Sequence, residues 1–127
     1  MSARFIDVQK GSITMTTYRL VVLSSAMSGR EREFENWYDD VHIPDIAAIE
    51  GVVSASRMRV IDSSSNALDA PAWRSLAIYE FGENAPADVI RRIGEAKSAG
   101  TMMISTALDR SSIVKLIVAD AQPVPAG

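Results

Sequence analysis

The segment Glu35-Asn36-Trp37-Tyr38-Asp39-Asp40-Val41-His42-Ile43-Pro44-Asp45 gathers more chemistry than any other part of the chain. It carries the single histidine and one of the two tryptophans. Histidine is the side chain whose ordinary pKa lies closest to physiological pH, so His42 is the first candidate for moving a proton. At helical spacing Tyr38, Asp39 and Asp45 all fall within reach of its face. A carboxylate on one ring nitrogen would orient the imidazole and raise its basicity. The competing role is structural. In the last turn before Pro44, a protonated imidazole would interact with the carbonyl end of the helix dipole.

Other side chains are weaker candidates. Trp37 and Tyr38 could wall a pocket for an aromatic substrate, although aromatics at helical spacing are more often core, and Trp37 reads as core. Tyr79 shares a strand face with Trp73 and Ser75 and can point into a pocket or into a subunit interface. Arg57 and Arg59 share one face of another strand. They fit a solvated edge, or, for Arg57, a fork of donors for a substrate carboxylate. Met58, Met102 and Met103 read as flexible core filler.

Composition removes several chemistries. With no cysteine, thiolate nucleophiles, disulfides, iron–sulfur ligation and cysteine-based zinc sites are excluded. No metal site is expected: His42 with Asp39, Asp40 and Asp45 at a helix end reads as solvated carboxylates. No cofactor is expected either, since the chain has no phosphate-binding loop or dinucleotide fingerprint, and it also lacks a Gly-x-Ser-x-Gly elbow. The net charge of −3 and the absence of a basic run longer than Arg91-Arg92 argue against a nucleic-acid partner. The longest apolar runs, Leu20 to Leu23 and Ile113 to Ala119 (interrupted by Lys115), are too short to span a bilayer. No secretory signal opens the chain, so a soluble, cytoplasmic protein is expected.

The elements that must position these residues follow from pattern. The 127 residues fit one domain, with a core over about 18–120 and flexible arms at both ends. A short strand is expected around Arg4 to Val8, and a buried strand over Tyr18 to Ser25. Ser28 and Glu31 match a capping box. The helix that follows carries Phe34, Trp37, Tyr38 and Val41 on one face, then Ile46 and Ile49 after a turn. Pro44 lacks an N–H and should end or kink it near residue 43, with a last turn over Asp45 to Ile49. Strands are expected over Val52 to Asp62, Trp73 to Phe81 and Ile113 to Ala119. A second helix runs from Pro86 to Ser98, with Val89, Ile90, Ile93 and Ala96 as its stripe. A polar loop spans 62–71.

The order is β-α-β-β-α-β, an α+β ferredoxin-like unit with a four-stranded antiparallel sheet and both helices on one face. The strands are apolar on both faces, so a second subunit is expected to cover the other one. This order, with Phe34-x-x-Trp37-Tyr38-x-x-x-His42-x-Pro44 followed by Glu50-Gly51-Val52, resembles the dimeric α+β barrel superfamily, most of all its EthD-like group. The resemblance covers about Tyr18 to Asp120.

That resemblance implies a homodimer whose sheets pair into a barrel, with a pocket in each subunit between sheet and helices. It places His42 at that pocket as an acid/base, with Trp37 and Tyr38 as walls. Such proteins include cofactor-free monooxygenases, decarboxylases, isomerases and dehydratase-like proteins. The expectation is a homodimer binding a small hydrophobic or aromatic, oxygenated ligand. The alternative is a non-catalytic ligand-binding or stress-associated dimer.

Overall fold

The computed structural model describes residues 7–8, 11–12, 16–61 and 73–121. Strands β1 (Asp7–Val8) and β2 (Gly11–Ser12) pair antiparallel as a short ribbon. Residues 4–6 of the strand expected there, the loop at 62–71 and the tail at 122–127 lie outside the described residues.

The main sheet contains β3 (Tyr18–Ala26), β4 (Ser54–Arg59), β5 (Ser75–Gly82) and β6 (Leu108–Ala119). Its order is β4-β5-β3-β6, and every pair is antiparallel. Helix α1 (Glu31–Trp37) continues through a π-helical turn (Tyr38–His42) into α2 (Ile43–Ala47), and α3 (Pro86–Ser98) crosses between β5 and β6. This is the ferredoxin-like α+β arrangement that the element order predicts.

Side-chain alternation explains how the sheet meets the helices. On β5, Ser75, Ala77, Tyr79 and Phe81 are buried; on β3, Leu20, Val22 and Ser24 are. They pack with Phe34, Trp37, Tyr38, Ile46, Val89 and Ile93 from the helices into one core. The opposite face is also apolar. The register sets Leu23 beside Leu76 and Val114, and Val21 beside Ile78 and Leu116. Leu116, Val118 and Met58 on that face are exposed.

Three local expectations change. The capping box does not form. The helix starts at Glu31 with Arg30 as its cap, and the Glu31 carboxylate accepts from the Gly29 N–H instead of closing on Ser28. Of the end or kink expected near residue 43, the end does not occur. The Ile43 N–H donates to the Tyr38 carbonyl, five residues back, and the chain remains helical to Ala47. Such a turn holds one residue more than an α-turn. Phe34, Tyr38, His42 and Ile46 therefore stay on one buried face, while Val41, which regular α-periodicity places inside, is 39% exposed. Finally, β6 begins five residues before the strand expected at Ile113, with its pairing to β3 shifted between Leu23 and Ser25.

Candidate functional site

A cavity of about 250 Å³ lies between the sheet and the helices. Trp37, Tyr38, His42 and Ile46 line it from the first helical segment, and Leu20, Val22, Ser24 and Tyr79 from the sheet. Ile93 and Lys97 of α3 and Leu108, Arg110, Ile113 and Lys115 of β6 complete it.

The π-turn decides the identity of the inward residue. His42 is 8% exposed, and its ring stacks on the Trp37 indole at 4.6 Å between centroids. The Trp37 Nε1–H donates to the Met103 carbonyl at 2.9 Å, which fixes the indole. The buried Nδ1 of His42 has no hydrogen-bond partner. Neither Asp39 nor Asp45 bonds the imidazole, so the carboxylate dyad read from the spacing is not formed. The helix continues past His42 through Pro44, so the imidazole does not sit at a terminal turn either. Burial first, then the charges of Lys97 and Lys115, lower its pKa from 6.5 to about 4. The ring is neutral at neutral pH.

Tyr38 and Tyr79 meet beside it, their hydroxyls sharing one hydrogen bond of 3.2 Å. That bond uses one hydroxyl hydrogen and leaves the other to serve a guest. Burial raises the pKa of both phenols, so both stay protonated. The Ser24 hydroxyl is near enough to moderate the Tyr38 shift, yet its buried oxygen makes no hydrogen bond of proper geometry. Unpartnered buried polar atoms are uncommon in folded proteins and call for a reason. Here Ser24 and His42 both line the cavity.

Arg57 takes a different place from the one proposed for it as a substrate-binding residue. Its side chain is 5% exposed and is absent from the cavity wall. The guanidinium forks onto Asp39 at 2.7 and 2.9 Å and reaches Glu35 at 3.0 Å. It also lies 5.4 Å from the centre of the Tyr38 ring. These contacts hold Asp39 below the usual carboxylate range; Arg59 and Arg57 do the same to Glu35. Arg57 thus ties β4 to the first helix behind Tyr38, with a further bond from Nη1 to Ser75 Oγ, and is not among the residues that line the cavity. It is not a solvated edge residue either.

Sequence reasoning brought His42, Trp37, Tyr38 and Tyr79 to one place, and all four line the cavity. It did not single out Ser24, Lys97, Arg110 or Lys115. The signal for Lys115 was visible, as a cation interrupting an apolar strand. Among the described residues no group of three His, Asp or Glu side chains is placed to hold a metal ion. No helix of the described residues is long and apolar enough to cross a membrane.

The fold and the site define a small α+β protein with a sheet-and-helix pocket rimmed by cations. Its fold is EthD-like. It is similar to an ethyl tert-butyl ether d (EthD) family protein from Bacillus halodurans, with a TM-score of 0.60 and 14% identity over 83% of this chain and 99% of that one. It is also similar to an EthD-like protein from Ralstonia eutropha, with a TM-score of 0.56 and 11% identity over 83% and 92%. A protein from Arabidopsis thaliana matches at a TM-score of 0.50 and 14% identity over 87% and 98%. No family model matches the sequence, and no curated protein does.

Proposed function

We propose that this protein is a homodimer that binds a small hydrophobic, oxygenated molecule in the cavity and moves a proton on it with His42. The observation carrying this reading is the neutral, buried imidazole of His42, which lines the cavity beside two protonated phenols. A neutral imidazole can take a proton from a carbon next to a carbonyl. The free hydroxyl hydrogen of the tyrosine pair would then donate to the oxyanion that forms. Return of the proton at another carbon makes the net reaction an isomerisation, and its loss with a leaving hydroxide makes it a dehydration. The apolar outer face of the sheet supports the pairing of two subunits, because apolar area of that extent is usually covered.

Ligands retained by the purified protein, identified by native mass spectrometry, supply the substrate for a turnover assay. His42→Gln should keep ligand affinity within a few-fold and abolish turnover. Undiminished turnover in His42→Gln would remove the catalytic role. One observation favours a second reading, non-catalytic binding: no carboxylate orients the imidazole. That reading gains if the retained ligand emerges chemically unchanged from prolonged incubation with the protein.

A further inference from the structure

The mouth of the cavity brings three cations together. Lys97 comes from the last turn of α3, and Arg110 and Lys115 come from β6. Among the described residues none of the three meets a carboxylate. Elsewhere among the described residues Arg19, Arg30, Arg57, Arg59, Arg91 and Arg92 each meet one, whereas Arg32 and Arg74 do not. The helix dipole accounts for a lysine at the end of α3, but it gives no reason for two cations on the facing strand. Their mutual repulsion is felt: burial, then Lys115, then Arg110 lower the pKa of Lys97. This positive rim belongs to a chain whose net charge is −3, so it is a local field and not a property of the whole surface.

Beyond the rim the walls turn apolar, with Leu20, Val22, Ile46 and Ile93 around the flat faces of Trp37 and Tyr38. The buried polar residues of the lining are Ser24 and His42, with the Tyr38–Tyr79 hydroxyl pair beside them. Such a site has a cationic entrance, an apolar body and a few hydrogen-bonding groups inside. We propose that the cavity accepts a small aromatic or unsaturated carboxylic acid, its carboxylate seated among Lys97, Arg110 and Lys115 and its apolar body against Trp37. The inference rests on the small-molecule reading given above and names the substrate class for the same site. The bound carboxylate also offsets the two lysine charges that disfavour protonated His42, so it makes the imidazole a stronger base only while substrate is present.

Paired probes separate charge from shape. trans-Cinnamate, 2-naphthoate and sorbate are each titrated by calorimetry against their own carboxamides, which match them in size but carry no charge. At least one acid should bind ten-fold or more tighter than its amide. In Lys97→Met/Lys115→Met the preference should fall, and with Arg110→Met added it should collapse to within about two-fold while amide binding persists. Both lysines are exposed, and circular dichroism checks that the variant is folded. The His42 imidazole signal in NMR gives a second readout in the unaltered protein, where its pKa should rise with the acid and not with the amide. Equal binding of every acid and its amide overturns the anion proposal and leaves the small-molecule site standing. A preference that survives with all three cations replaced overturns the assignment of the rim. If neither acids nor amides bind, this proposal and the small-molecule reading both fall.

Discussion

Titration from neutral pH toward pH 4 loads a proton onto an imidazole that the fold keeps neutral. The pKa of His42 is about 4 in the folded protein and 6.5 as its ordinary value. Below 6.5 the unfolded chain takes up a proton that the native state refuses, so stability is full above 6.5 and falls as the pH drops toward 4. Below that the native state is protonated too, and the loss levels off. At 1.36 kcal/mol per pH unit, the full window is worth roughly 3 kcal/mol, of which about 2 kcal/mol is gone by pH 5. The paired carboxylates, Glu35 and Asp39, are held below their ordinary range and lose stability only at lower pH. The upper part of the window therefore belongs to the histidine. Urea unfolding at pH 7 and pH 5, at one protein concentration, reads the change. His42→Gln should flatten it. Because the chain has one histidine, the imidazole signal in an NMR titration is unambiguous, and its midpoint should fall near 4. A midpoint near 6.5, or an equal loss of stability in His42→Gln, would refute the argument that burial and the two lysines keep the ring neutral.

Three further outcomes follow from the packing. Arg57→Met removes a nearly buried fork from two carboxylates and should cost about 1–3 kcal/mol by urea unfolding; a neutral result would show that the ion pairs only decorate the edge of β4. Gly51 precedes β4 with φ of +98°, and an added Cβ would lie 2.9 Å from Val89 Cγ2. Gly51→Ala should therefore lower the melting temperature through both strain and a clash, on the order of 1–3 kcal/mol, and an unchanged melting temperature would contradict this geometry. Leu116→Glu places a charge on the apolar outer face of the sheet, where Leu116 is exposed in the single chain. Analytical ultracentrifugation should show a dimer for the unaltered protein and a folded monomer for this variant; a monomer in both would end the homodimer reading.

Much of the fold was legible because its signals are local. Pro86 at the first turn and Val89 and Ile93 at helical spacing mark α3, whose limits match those read from the chain. Strict alternation from Ser75 to Phe81 sorted the residues of β5 into two faces without knowledge of its neighbours, and packing against the helices chose which of them is buried. The capping box failed although its residues are present, because Arg30 takes the cap position and bonds Glu33 and Thr106 instead. A local motif states what a segment can do; its surroundings choose among the options.

The site shows the same division. The sequence by itself determined the order of elements, the set of residues that share a face of β5 with Tyr79, and the presence of one imidazole among aromatics. Helical periodicity alone, however, puts Val41 inside. The π-turn inserts one residue, and this irregularity persists because it buries His42 against Trp37 and Ile46 against the core. Only tertiary packing takes Arg57 out of solvent, because its partners Glu35 and Asp39 come from a helix laid across its strand. Only packing gathers Lys97, Arg110 and Lys115, since α3 and β6 are joined by a connection that carries no sign of their convergence. Local sequence encodes φ, ψ and periodicity. The electrostatics of the cavity depend on distances between elements, and those exist only after the chain has folded.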